Sequence, residues 1–365
     1  MDAQLTRRLF AVFPEKENPS LDALAKRLLE RQKISWPGLA EGHAALEEAR
    51  IREIRGDNWT VKVQFNPRRI VSTGARLDSE AIRRRPCFLC LSNLPPEQRA
   101  ILYRETFVVL CNPAPIFPGH LTIAHCRHLP QSILENLEIL LRLAADFGPG
   151  MTLFYNGPRC GASAPDHLHF QAAPAGLVPV EAEVLEPGNR VGVRRLKGVS
   201  LWRTQGLGRG ILVIEGSSAA SVASAFGETL AALFHLTGSA SRRPRPARGV
   251  EGHNAKQIPS LPGSLAPQAE SYRLSADEPM VNLLCTHTGS AWRVIVFPRR
   301  TLRPAAYYHE GEKRLLISPG AVDMCGMVIT PLEKDFLVLD RGLLEEVFRE
   351  VALDDSALDS LLEVI

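Results

Sequence analysis

The chain is short of several things. Aromatic residues make up only 6%, and the charge nearly cancels: 43 Lys and Arg against 40 Asp and Glu, a formal +3. A balance this small argues against a nucleic-acid coat, though local basic clusters can still hold a phosphate. No apolar run approaches the ~18 residues of a membrane span, so no membrane partner is expected. The opening stretch MDAQLTRRLFAVFPEKENPS has no apolar signal-peptide region, so export is not expected and a cytoplasmic location is. Cysteine does not come in an even framework. There are seven, at 87, 90, 111, 126, 160, 285 and 325. In this context they read as reduced thiols, some of them metal ligands.

What is present is ordinary globular composition, 45% apolar and 23% charged over 365 residues. That length suits one large domain or two medium ones and is ample for a core. Residues 1–55 read as an N-terminal helical segment, with amphipathic stretches from Ser20 through Arg31 and over Leu39–Ile54. Trp59–Phe65 alternates apolar and polar, as a half-buried strand does, and Asn66–Arg69 follows as a turn. Phe107–Cys111, His120–Ala124, Met151–Tyr155 and His167–Ala172 read as strands. Between the second and third of these, Ile133, Leu134, Leu137, Leu140, Leu141 and Ala144 recur at helical spacing, closed by Gly148-Pro149-Gly150. The same order of elements recurs loosely downstream. Ile211–Glu215 is a strand, Ala219–Leu236 a helix, and Met280–Cys285 with Trp292–Phe297 a strand pair. That last pair takes the place of 151–155 and 167–172 but carries no His-x-His. The expected organisation is therefore a first half over 56–190 and a degenerate second half over 191–365. The second half contains a basic loop at 238–270, read as a surface loop or as a mobile lid over an anionic ligand.

The chemistry concentrates in Asp166-His-Leu-His-Phe-Gln171. On a strand, His167, His169 and Gln171 share one face while Leu168 and Phe170 face a core. Two imidazoles and an amide in a row are expensive to bury without partners, so the row is expected to line a site; an exposed edge-strand face is the plainer alternative. Upstream, Cys87-Phe-Leu-Cys90 fits a redox pair, a metal half-site or coincidence. His120, His125 and His128 follow closely. Cys87, Cys90, His125 and His167 would complete a Cys2His2 set, all protein ligands and therefore structural zinc.

These residues resemble the histidine-triad superfamily in its transferase branch, which includes galactose-1-phosphate uridylyltransferase, diadenosine tetraphosphate phosphorylase and the GDP-hexose phosphorylases. Asn112-Pro-Ala-Pro-Ile-Phe-Pro-Gly-His-Leu-Thr-Ile-Ala124 resembles that superfamily's strand-loop-strand entry, and Asn156-Gly157 with Gly161–Gln171 its active-site loop and strand. His125-Cys-Arg-His-Leu-Pro-Gln131 and the Cys87/Cys90 pair resemble the uridylyltransferase zinc segments. The resemblance implies an α+β fold, a histidine-triad-like antiparallel sheet with flanking helices in two pseudo-repeats. It implies a nucleotidyltransferase or phosphorylase passing a nucleoside monophosphate through a nucleotidyl-histidine. The donor would be a nucleoside diphosphate sugar or dinucleoside polyphosphate, and the acceptor phosphate or a sugar phosphate. A nucleotide-anhydride hydrolase and a non-catalytic, zinc-stabilised nucleotide-binding protein are the alternatives. His169 would be the nucleophile, with Gln171 and Ser163 beside the transferring phosphate. Gln64, Asn66, Arg68, Arg69, Asn112, Asn156, Gly161 and Ala162 would bind the nucleotide. Cys87, Cys90, His125 and His167 would hold zinc. Arg299, Arg300, Arg303 and Glu312 are candidates for the leaving group or acceptor. A homodimer is compatible with the resemblance.

Overall fold

The computed structural model describes residues 3–14, 20–74, 79–196, 198–237 and 278–365. The basic loop expected at 238–270 lies outside them. In chain order the described strands are β1 (Leu9–Phe13), β2 (Arg50–Arg55), β3 (Thr60–Phe65), β4 (Ala100–Tyr103), β5 (Phe107–Cys111), β6 (Leu121–His125), β7 (Met151–Asn156), β8 (His169–Pro174), β9 (Arg190–Leu196), β10 (Val199–Thr204), β11 (Leu212–Gly216), β12 (Val281–His287), β13 (Trp292–Pro298) and β14 (Met327–Thr330). Eleven of them make one sheet in the order β1-β4-β5-β6-β8-β7-β12-β13-β11-β10-β9. All its pairings are antiparallel except β1 with β4. The α+β architecture is the one expected.

The order contains an internal two-fold. From one side the sheet runs β4-β5-β6-β8-β7; from the other it runs β9-β10-β11-β13-β12. In each half a helix follows the third strand: Leu137–Phe147 after β6 and Ala219–Leu236 after β11. The halves meet at β7 and β12, where Asn156 faces Asn282 and Thr152 faces Thr286. Each of these pairs is the other's image under the two-fold. β12 and β13 occupy the places of β7 and β8.

Side-chain alternation splits the core into layers. Leu153 and Tyr155 join one cluster with Leu283 and Val294, packed under helices Leu21–Ser35, Leu137–Phe147, Ala219–Leu236 and Asp355–Val364. Phe154, Leu284 and Ile295 join the opposite cluster, under a small sheet of order β14-β3-β2 and helix Arg341–Val351. Helix Ala219–Leu236 is long and apolar enough to cross a membrane. Here it lies along the sheet with Val222, Phe226, Leu230 and Leu233 buried.

The N-terminal segment departs from the helical reading at two places. Helices Leu21–Ser35 and Pro37–Glu47 form, the first capped by the Ser20 hydroxyl accepting from Ala23 N at 3.3 Å. Residues 9–13 and 50–55 are instead strands. Ile51 and Ile54 sit three apart, which mimics a helical stripe, but six residues of β2 pair in register with β3, from Arg50 with Phe65 to Arg55 with Thr60. The boundary expected at 55/56 thus falls inside a hairpin, and β3 pairs in parallel with β14 near the other end of the chain.

Candidate active site

β8 begins at His169, so His167 stands just outside the strand. Its Nε2 donates to His125 O at 2.8 Å, which leaves Nδ1 as the lone-pair nitrogen, 3.3 Å from Cys87 Sγ and 3.7 Å from Cys90 Sγ. His128 Nδ1 lies 3.3 Å from Cys90 Sγ. The ligand atoms of Cys87, Cys90, His128 and His167 all fall within 4.8 Å of one another. Two thiolates and two imidazole nitrogens at that spacing suit one tetrahedral ion such as zinc. The fourth member is His128, which corrects the expectation of His125. Being the last residue of β6, His125 turns its ring edge-on to Phe107, and its Nδ1 accepts from Arg127 N at 3.0 Å. The turn beyond it carries His128 to the cluster instead.

His169 is buried, and its Nδ1 donates to His167 O at 2.7 Å. That fixes the tautomer: Nε2 keeps its lone pair and is the ring's free edge. Burial pushes the imidazole down to about 4, so it is neutral at pH 7. The strand is held there by Gln131, fully buried, whose Oε1 accepts from His169 N at 2.8 Å. Its Nε2 donates to His169 O at 3.0 Å and to Asn156 O at 2.9 Å. The β7–β8 ladder is paired from Met151 with Pro174 to Phe154 with Gln171. Its next rung would be Asn156 with His169. The carboxamide fills that rung, so the strands part without orphaning their backbone groups.

Gln171 is oriented by a similar chain. His120 Nδ1 accepts from Ile116 N at 3.2 Å, so its Nε2 carries the proton and donates to Gln171 Oε1 at 2.9 Å. Burial, and then the Arg69 charge, push His120 down to about 3 and keep it neutral. The Gln171 NH2 is thereby left as a donor.

Leu110, Thr122 and Gln171 stand opposite one another across β5, β6 and β8. They floor a cavity of about 680 Å³ that His169, Ser163, Arg69, Asn112 and Arg85 also line. A smaller cavity of about 60 Å³ shares Arg69, Ser163 and Gln171 with it and adds Asn156, Gly161, Ser318 and Asp323. Burial pushes the Asp323 carboxyl up to about 6, although it accepts from Gly320 N and Ile329 N, both at 2.9 Å. Gly161 has φ +100°, and a Cβ there would lie 2.7 Å from Gly320 Cα, so the backbones approach only because this residue is glycine.

Other expected residues are placed differently. Gln64 and Asn66 are buried and hydrogen-bond Ile116 O and Pro115 O, so they brace the entry loop from behind. Arg68 meets Glu41 at the surface. Ala162 is fully buried and lines neither cavity. Arg299 is buried with all five guanidinium protons committed, to Val351 O, Asn282 Oδ1, Pro319 O, Thr301 O and Leu302 O. It ties the second half together and has no donor left for a leaving group. Arg300 pairs with Asp354 at the surface, and Glu312 is exposed. Arg303 reaches Ser318 Oγ at 2.9 Å, beside the smaller cavity. Gln131, Gln98 and Arg85 belong to the site's framework and were not singled out in the sequence. The nearest signal is an amide such as Gln131 set directly before the apolar helix.

The two-fold sets residues of the second half at the places of His169 and Gln171. Leu121 pairs with Ala172 as Leu212 pairs with Val296, so Arg293 stands where His169 does and Ile295 where Gln171 does. Arg293 Nε is held by Glu215 at 2.7 Å. The second half repeats the frame with an arginine and an isoleucine in place of the imidazole and the amide.

A family described as "Domain of unknown function (DUF4922)" matches residues 28–174, the stretch that contains all four cluster residues and His169. No curated protein matches the chain by sequence. Among solved structures, yeast Ap4A phosphorylase Apa2 in complex with Ap4A superposes with a TM-score of 0.53 at 12% identity, covering 90% of this chain and 97% of that one. The chain has that fold. The AMP complex of the same yeast protein gives 0.53 at 14% identity over 90% and 95%, and another structure of it 0.51 at 13% over 87% and 94%. The likeness to that yeast enzyme is one of fold, and it agrees with the α+β architecture expected from the sequence.

Proposed function

We propose that this chain is a nucleotidyltransferase or phosphorylase that passes a nucleoside monophosphate through His169. The observation that carries the reading is the ring itself: Nδ1–H is committed to His167 O, burial keeps the imidazole neutral, and Nε2 takes no hydrogen bond from the described residues in a side chain that lines the cavity. The Nε2 lone pair attacks the α-phosphorus of a nucleoside diphosphate sugar or dinucleoside polyphosphate. A P–N bond forms, and the P–O bond to the leaving group breaks with its electron pair on oxygen. The ring becomes cationic, and the His167 carbonyl already accepting Nδ1–H stabilises that charge. An oxygen of phosphate or of a sugar phosphate then attacks the same phosphorus, and the pair returns to Nε2. The Gln171 NH2 and Arg69 donate to the non-bridging oxygens, with Ser163 beside them. Gln171 does not shuttle protons at pH 7, so water is poorly activated and transfer outruns hydrolysis. Cys87, Cys90, His128 and His167 would hold a structural zinc ion, which fixes the His167 carbonyl beneath the nucleophile.

The test is incubation with α-phosphorus-labelled dinucleoside polyphosphates and nucleoside diphosphate hexoses. The wild type yields an acid-labile, base-stable protein adduct and phosphate-dependent products; His169→Ala yields neither. Turnover by the variant at the wild-type rate overturns the reading. Release of nucleoside monophosphate with water alone favours the hydrolase.

A further inference from the structure

The cavity extends well beyond the reactive end. From Gln171 it runs across Thr122 and Leu110 to Phe88, Leu89, Leu94, Pro95 and Gln98. Gln98 is 4% exposed, and its Nε2 donates to Cys111 O at 3.0 Å. A backbone carbonyl only accepts, so the amide nitrogen must be the atom beside it and the orientation is fixed. Gln98 Oε1 takes no hydrogen bond from any described residue. Asn93, at the mouth, also spends its Nδ2 on a backbone carbonyl, that of Cys87 at 2.8 Å. Asn112 donates to Thr122 Oγ1 and accepts from Ala114 N, and Asn93 Oδ1 accepts from Ser92 Oγ. Each of these carboxamides keeps a second N–H, but Gln98 Oε1 is the one of the three amide oxygens that accepts from no described residue. Around them the wall is apolar, with Phe88 under the Arg85 guanidinium at 5.1 Å. Cys111 lies on β5, two strands from β8, which is about 10 Å and leaves room for a ribose in between.

We propose that Gln98 Oε1 is the base-discriminating acceptor of this cavity and selects nucleotides whose base carries an exocyclic amine. Adenine, guanine and cytosine carry that amine at C6, C2 and C4 respectively. Uracil has carbonyl oxygen where cytosine has its amine, and hypoxanthine has carbonyl oxygen where adenine has its amine and only hydrogen where guanine has its own, so neither offers Gln98 Oε1 that donor. A buried acceptor built for a donor rejects the analogue that lacks it more strongly than an apolar wall rejects a misfit. The inference rests on the reading that a nucleoside monophosphate lies between His169 and this wall, and it narrows the substrate class within that reading.

The experiment is calorimetric titration of the full-length protein with AMP, GMP, CMP, UMP and IMP. Wild type is expected to bind the best amino-bearing nucleotide at least tenfold more tightly than UMP, and AMP or GMP at least tenfold more tightly than IMP. The comparison of IMP with GMP removes one exocyclic amine from an otherwise unchanged nucleotide, that with AMP exchanges the amine for oxygen and protonates N1, and neither needs a variant. Gln98→Leu and Gln98→Met are expected to collapse those ratios to within threefold while leaving phosphate-end binding measurable. Equal binding of IMP and its amino-bearing counterparts by wild type overturns the inference and leaves the nucleotidyl-transfer reading standing. If none of the five binds, the nucleotide reading itself fails and this one with it.

Discussion

Gln131 offers the sharpest test of how the site is built. Its carboxamide satisfies three backbone groups at the point where β7 and β8 part: His169 N–H, His169 C=O and Asn156 C=O. Gln131→Leu keeps nearly the same volume, so the cavity contribution is small and the polar one dominates. Each buried group left unpaired costs about 1–3 kcal/mol. Three of them, partly relieved by local shifts, give a loss of about 3–6 kcal/mol, a large fraction of the ~5–15 kcal/mol that holds a domain together. Gln131→Glu separates the parts. Its carboxylate still accepts from His169 N–H but faces two carbonyl oxygens with no proton to give. Protonation restores one donor. The native state should therefore hold that proton more tightly than the unfolded chain, and the variant should gain stability as pH falls from about 8 to about 5. Urea unfolding of both variants over that range is the assay. A leucine variant within about 1 kcal/mol of wild type, or a glutamate variant flat with pH, would refute the idea that the amide replaces a rung of the ladder.

Other expectations are independent of it. Glu278 is buried against Tyr155 Oη at 2.8 Å and Ile133 N at 2.7 Å, and burial pushes its carboxyl up to about 7. The native state then holds the extra proton between the unfolded value near 4.5 and about 7, so wild-type stability falls as pH rises through that window and levels above it. Gln in its place should remove a slope worth about 3 kcal/mol in all, read from paired urea curves. For the metal cluster, His128→Ala should lose zinc on elemental analysis while His125→Ala retains it; the reverse pattern would restore the original ligand set. Gly161→Ala should lower Tm by several degrees and weaken nucleotide binding, because its Cβ meets Gly320 Cα at 2.7 Å. An unchanged Tm would mean the two loops give way freely.

Much of this was legible in the residues. His169 and Gln171 alternate as strand residues must and both line the cavity, whereas His167, expected on the same face, stands before the strand and joins the cysteines instead. The loose recurrence of elements in the second half agrees with the two-fold of the sheet. What was hidden is of two kinds. A hairpin such as 50–65 is decided by its partner, and Ile51 and Ile54 spaced three apart carry the wrong period for it. Choosing between His125 and His128 depends on a turn three residues long, which spacing from distant cysteines does not resolve. Arg299 was hidden for a simpler reason. Charge in a sequence says nothing of whether a guanidinium faces a ligand or, as with Arg299, is consumed by carbonyls from its own half.

The junction of β7 with β12 is an ordinary antiparallel ladder, five residues paired without a bulge. A hinge there would have to break those hydrogen bonds and shear the packed layers on both faces of the plate. Any ligand of the cavity would therefore enter and leave past the exposed segments along the rim, such as the stretch bearing Val71 and the one bearing Phe88, while the plate itself stays a fixed anvil.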